Sequence, residues 1–113
     1  MRTLVLFDTV DASQNHTSEV LDFDGQDARF LIQAVKTGTD GDPRLIIEES
    51  VTGDIWTPLE NVETWNDYTE IDDSEAIAVK DNYFMGKFFR ARLEANGTTA
   101  GTIYAEMCYK TKP

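Results

Sequence analysis

The chain has 113 residues, 41% apolar and 27% charged, with 21 acidic against 10 basic side chains and a formal net charge of −11. That length fits a single domain over residues 1–113, with one core burying roughly 65% of the extended-chain surface. A field of that sign repels phosphate backbones and anionic lipid, so nucleic-acid and membrane-surface binding are disfavoured, while a basic partner or bound cations would suit it better.

Taken in order, the chain reads as short β-branched and aromatic bursts between Gly, Asp and Asn turns, with no sustained helical period. The first burst is residues 3–7, followed by a polar loop, "DTVDASQNHTS". Residues 19–23 come next and close on "DG" at Asp24 and Gly25. A strand over 28–36 is broken by "TGTDGDP", whose glycines and Pro43 no central strand accepts. Residues 45–49 resume the pattern, "TGD" turns, and 55–59 return with Pro58 near the end, as on an edge.

Residues 60–75, "ENVETWNDYTEIDDSE", form an irregular acidic segment. A short strand is expected over 76–80, then one over 87–95 with Phe89, Ala91 and Leu93 facing one way and Arg90, Arg92 and Glu94 the other. The loop "NGTTAG" leads to a last strand over 102–110, with Ile103, Ala105, Met107 and Tyr109 on one side. About eight strands with no room for crossover helices predict an all-β fold. Its expected form is a small antiparallel β-sandwich, jelly-roll-like. The core is expected from Phe30, Ile32, Leu45, Ile47, Trp56, Phe89, Leu93, Ile103, Ala105 and Met107.

Residues that could carry chemistry are few. His16 is the sole histidine and lies in a polar loop with no nucleophile pattern beside it. With one histidine and one cysteine, Cys108, neither a closed zinc site nor an intrachain disulfide can be built. Cys108 reads as a buried, inert thiol and cytosolic folding as the expected route. The start "MRTLVLFDT" has too short an apolar run for a signal-peptide core, and no stretch approaches a membrane span. "NHT" at Asn15 and "NGT" at Asn96 therefore read as turns rather than glycosylation sites.

Carboxylates are abundant. Glu48 and Glu49 are adjacent in a strand and point to opposite faces, so they cannot share one glycosidic bond. Glu49 would share the side of Leu45 and Ile47. It either needs a partner such as Arg90 or Arg92, or the strand ends before it, which is the favoured expectation. "DFDGQD" and "TDGDP" offer oxygen ligands for calcium, but turn-forming Asp and Gly account for both, and neither a metal nor a cofactor is assigned. Among the aromatics, Trp56 is expected in the core, whereas Trp65, Tyr68, Tyr83 and Phe84 are the expected interface residues.

At "DARFLIQAVKTGTDGDPRLIIEESVTGDIWTPL" and "GKFFRARLEANGTTAGTIYAEMCYK" the chain resembles small β-sandwich virion proteins of tailed bacteriophages. The shared layout is a strand and Gly/Thr loop leading to a Gly-turn with tryptophan, here Gly53 and Trp56. An aromatic-and-arginine strand then joins the last strand through a second Gly/Thr loop. The likeness covers about four fifths of the chain, and residues 60–85 depart from it by being longer and more acidic. It implies a non-enzymatic structural protein made in the host cytoplasm and carried on the capsid exterior as a decoration protein. Its partners would be the major capsid protein or other virion proteins and further copies of itself, a trimer among them. A carbohydrate-binding module and a tail or neck component are the alternatives.

Overall fold

The computed structural model describes residues 2–23, 28–59, 68–71, 77–83 and 87–111. Ten strand segments run in the order β1 (Arg2–Asp11), β2 (His16–Thr17), β3 (Leu21–Asp22), β4 (Ala28–Thr37), β5 (Arg44–Ser50), β6 (Thr57–Pro58), β7 (Thr69–Glu70), β8 (Ile77–Tyr83), β9 (Phe88–Glu94) and β10 (Thr102–Thr111). There is no helix among the described residues. Sheet A has the order β1-β10-β4-β8, and sheet B the order β2-β9-β5-β6, with β3 also on β9 and β7 also on β5. Every pairing is antiparallel.

β2 and β3 act as one interrupted strand. Between them Ser18 N–H donates to the Ala91 carbonyl and Ser18 Oγ accepts from Ala91 N–H, both at 2.8 Å. β6 and β7 likewise share β5, with Leu59 N–H donating to the Ile47 carbonyl and Ile71 N–H to that of Pro43. The segments thus fill eight strand positions. Counted along the chain, the first pairs with the last, the second with the seventh, the third with the sixth and the fourth with the fifth. That nesting is a long hairpin rolled upon itself, the jelly roll.

Strand alternation builds the core. Phe30, Ile32 and Ala34 of β4 and Ile103, Ala105 and Met107 of β10 face inward from sheet A. Leu45 and Ile47 of β5 and Phe89, Ala91 and Leu93 of β9 meet them from sheet B. Ile32 pairs with Met107 and Ala34 with Ala105. The small residues allow Phe89, at 5.8 Å from the Phe30 ring, to interleave between layers. Leu6, Phe7, Ala12, Phe23 and Ile71 complete the cluster, all outside the expected core set.

The two Gly/Thr loops lie together at one end of the sandwich. Asp40, in the β4–β5 loop, accepts from the backbone N–H and hydroxyl of Thr99 and from Ala100 N–H in the β9–β10 loop. Asn96 Nδ2 returns a bond to the Asp42 carbonyl. Gly101 is required here: it has φ 101°, and a Cβ would come within 2.7 Å of the Thr37 carbonyl oxygen and of Thr39.

Several expectations need correction. Trp56 lies outside the core cluster and is only partly buried, because just Thr57–Pro58 of the expected 55–59 strand pairs with β5. The strand over 45–49 does not stop before Glu49 but continues to Ser50. The buried glutamate is Glu48, on the outer face, and it takes both arginine partners. Short strands also occur where loops were expected, at His16–Thr17 and at Thr69–Glu70 in the acidic segment.

Candidate functional site

β5 and β9 form the middle of sheet B, and their register sets out its outer face. Arg44 lies opposite Glu94, Ile46 opposite Arg92, Glu48 opposite Arg90 and Ser50 opposite Phe88. Three of the five arginines in the sequence fall on this one face.

Glu48 is its centre. The side chain is 6% exposed, and Oε1 accepts from Arg90 Nε and Arg92 Nε, each at 2.8 Å. A carboxylate this far from water needs such partners, since an unpaired buried charge is strongly unfavourable. Two guanidiniums share this one carboxylate. Arg92 Nη1 lies a further 3.7 Å from Glu94, on the same strand face.

Rings cover the arginines. The Arg90 guanidinium sits 4.2 Å from the Trp56 ring centroid, and that of Arg44 sits 4.2 Å from the Tyr68 ring centroid. Arg44 Nε is inaccessible and has no hydrogen-bond partner among the described residues. Ile46 is only 6% exposed although it belongs to the outer face, flanked along β5 by Arg44 and across the ladder by Arg92. The alkyl stems of arginines commonly cover apolar neighbours in this way. Nearby, Ser50 Oγ accepts from Gly53 N–H at 2.8 Å, and the Phe88 ring packs over Gly53. These contacts fix the turn that carries the chain to Trp56.

Of the expected interface residues, Tyr68 belongs to this face through its contact with Arg44. Tyr83 ends β8 opposite Arg29 in sheet A, so the structure does not bring these two tyrosines into one sheet. Trp65 and Phe84 lie outside the described residues. Phe89, Leu93 and Met107 are buried in the core as expected, and Trp56 is a face residue instead.

The remaining candidates have structural partners. His16 Nε2 donates to the Asp11 carbonyl at 2.7 Å, and Asp11 Oδ1 accepts from the Ser13 hydroxyl and N–H. Those Ser13 bonds hold the Asp11 carboxyl below its ordinary range. In "TDGDP", Asp40 is used by Thr99 and Ala100 and Asp42 pairs with Lys36 at 3.3 Å. In "DFDGQD", Asp22 lies 3.8 Å from Lys87, while residues 24–27 are outside the described set. No group of three potential metal ligands occurs among the described residues. Asn15 and Asn96 serve in turns, Asn15 Oδ1 accepting from Ala95 N–H at 2.9 Å.

The arginine cluster is partly legible in the sequence. Arg90 and Arg92, two apart on one strand, had to share a face, and adjacent Glu48 and Glu49 had to divide between faces. The stacking of Trp56 on Arg90 depends on the turn after Ser50 and has no periodic signal. No protein-family model matches the chain, and no curated protein matches it.

Proposed function

We propose that the protein is a non-enzymatic virion structural protein that acts through protein–protein contacts, most closely of the capsid-decoration kind. The observation that carries this reading is the outer face of sheet B, where Arg90 and Arg92 hold the buried Glu48, Trp56 covers Arg90, and the Arg44–Tyr68 pair extends the face along β5. Tryptophan, tyrosine and arginine are the residues that most often supply binding energy at protein interfaces. Here they are already ordered by mutual stacking and ion pairing, so little side-chain entropy remains to be lost on docking. The resemblance to phage β-sandwich proteins in the Gly/Thr loops supports the same reading, and the net charge of −11 argues against a polyanionic partner.

A jelly roll serves capsid and lectin domains alike, so the fold leaves the two apart only by the site. Trp56, partly exposed beside polar groups, favours a carbohydrate-binding module as the second reading. Against it, one face of the Trp56 ring and one of the Tyr68 ring are occupied by guanidiniums, which leaves less ring surface for a sugar.

The deciding experiment mixes purified protein with undecorated capsids and images the particles by electron cryo-microscopy. Ordered density at fixed lattice positions supports decoration, with homo-oligomeric density, such as a trimer, identifying the self-contact. Density confined to the tail or neck moves the protein there. No binding at about micromolar concentration, with retention on a glycan array, gives the case to the carbohydrate reading.

A further inference from the structure

We propose that Arg90, backed by Trp56, is a preformed fork for a carboxylate side chain, an aspartate or glutamate presented by the partner protein. This rests on the protein-binding reading above and names the chemistry that the face recognises.

The geometry fixes Arg90 on two sides. Its Nε is held by Glu48 Oε1 at 2.8 Å, and its Cζ lies over the Trp56 ring, 4.2 Å from the centroid. Its side chain remains 25% exposed, and among the described residues Glu48 and Trp56 are its only partners. The two Nη nitrogens therefore keep donors without acceptors among the described residues, on a group whose orientation is already set. A planar pair of N–H donors matches the two oxygens of a carboxylate, and its prior ordering lowers the entropic cost of binding.

Neighbouring groups explain why Arg90 is the receptor. Arg92 makes the same bond to Glu48 but has Glu94 at 3.7 Å as a second anion. The Arg44 guanidinium is turned onto Tyr68 with its Nε shut away from solvent. Glu48 is shared by two cations and Glu94 lies against Arg92 alone, so the Arg90 end of the cluster is the locally positive one within a strongly negative chain. A single carboxylate approaching the fork gains that local attraction. A nucleic-acid strand would bring many further charges into the surrounding negative field. The same surroundings would discriminate against neutral amides, which lack the charge that strengthens the two hydrogen bonds.

The test is a nuclear magnetic resonance titration of the 15N-labelled full chain at constant ionic strength, following the Arg90 Nε–H and Trp56 indole N–H signals. The probes are a blocked peptide with adjacent aspartate and glutamate, its asparagine–glutamine counterpart, inorganic phosphate and an oligogalacturonate. Saturable shifts at both signals with the acidic peptide are expected at about millimolar affinity, as befits one isolated contact, with none from the amide peptide. Arg90→Lys keeps the charge but not the fork and should weaken binding at least about tenfold, while Trp56→Ala should weaken it several-fold by freeing the guanidinium. Thermal melts establish that each variant is folded, and Trp56→Ala leaves the Glu48 ion pair in place should Arg90→Lys fail to fold. Equal shifts with the amide peptide, or none at Arg90 with the acidic one, overturn the proposal. Tighter binding of phosphate or oligogalacturonate at the same nitrogens overturns the protein carboxylate as its ligand. Capsid decoration that survives Arg90→Lys unchanged would remove the fork and leave the protein-binding function standing.

Discussion

Arg90 Nε lies 2.8 Å from Glu48 Oε1 across the β5–β9 ladder, joining a partly exposed guanidinium to a carboxylate that is 6% exposed. Arg92 reaches the same oxygen from two residues along. Deleting the carboxylate leaves two cations facing each other on a surface partly closed to water. Glu48→Ala should therefore destabilise the fold by about 3 kcal/mol, measured from the urea midpoint with unchanged slope. Replacing Glu48 and Arg90 together by apolar residues of similar volume should cost less than Glu48→Ala, because no lone buried charge remains from that pair. A loss below about 1 kcal/mol for Glu48→Ala would show that the cluster is solvated like an ordinary surface pair.

Trp56 makes a different prediction from the one its sequence setting gives. As a core residue its truncation would cost roughly 3 to 5 kcal/mol. As a face residue stacked on Arg90, Trp56→Ala should cost about 1 kcal/mol. Equilibrium denaturation separates these values cleanly. A core-sized loss would place the indole inside the sandwich and dissolve the arginine–tryptophan face.

How far the sequence speaks is clear from β9 and β5. In β9 the alternation of Phe89, Ala91 and Leu93 with Arg90, Arg92 and Glu94 states both faces, and the structure keeps them. In β5 the run Leu45, Ile46, Ile47 hides the phase, since both faces are closed to solvent and apolar residues suit either. The arginines of β9 decide it, because their register with Ile46 and Glu48 buries Glu48 outward rather than Glu49 inward. Pro58 limits the segment after Trp56 to a two-residue pairing, so alternation never reaches the indole and does not place it. The β2 and β7 pairings are too short to leave any period at all. In β1, Thr9 at φ 51° and two register shifts break the alternation, which conceals how far that strand runs.

The loop clamp at Asp40 should impose an acid limit on stability. Its carboxyl is held below the ordinary value of 3.8, chiefly by the Thr99 hydroxyl and then by the Thr99 N–H. A folded-state value below the unfolded one means that the stabilisation is present above pH 3.8 and is lost as pH falls through the lower, folded-state value. Asp40→Asn should accordingly lower the melting temperature at neutral pH, and its difference from wild type should shrink below pH 3.8. Thr99→Val, which removes the leading cause, should flatten the same acid limb. A pH-independent difference for Asp40→Asn would mean that the charged form is not what the loop holds.

Gly97 and Gly101 separate backbone strain from close approach within one loop. Both have positive φ, 82° and 101°, but a Cβ at Gly97 meets nothing within 4 Å, whereas at Gly101 it meets the Thr37 carbonyl and Thr39 at 2.7 Å. Gly97→Ala should therefore cost only the conformational penalty, about 1 kcal/mol. Gly101→Ala should cost at least about twice that, because the β4 and β10 ends must part to admit the methyl group. That parting also disturbs Asp40–Thr99, so Gly101→Ala should weaken the acid dependence while Gly97→Ala keeps it. Urea denaturation of both variants at neutral and acid pH checks the two effects together. Equal losses for the two glycines, with the acid dependence intact in each, would show that the Gly/Thr loops are not clamped at this point and that Gly101 serves only its backbone angle.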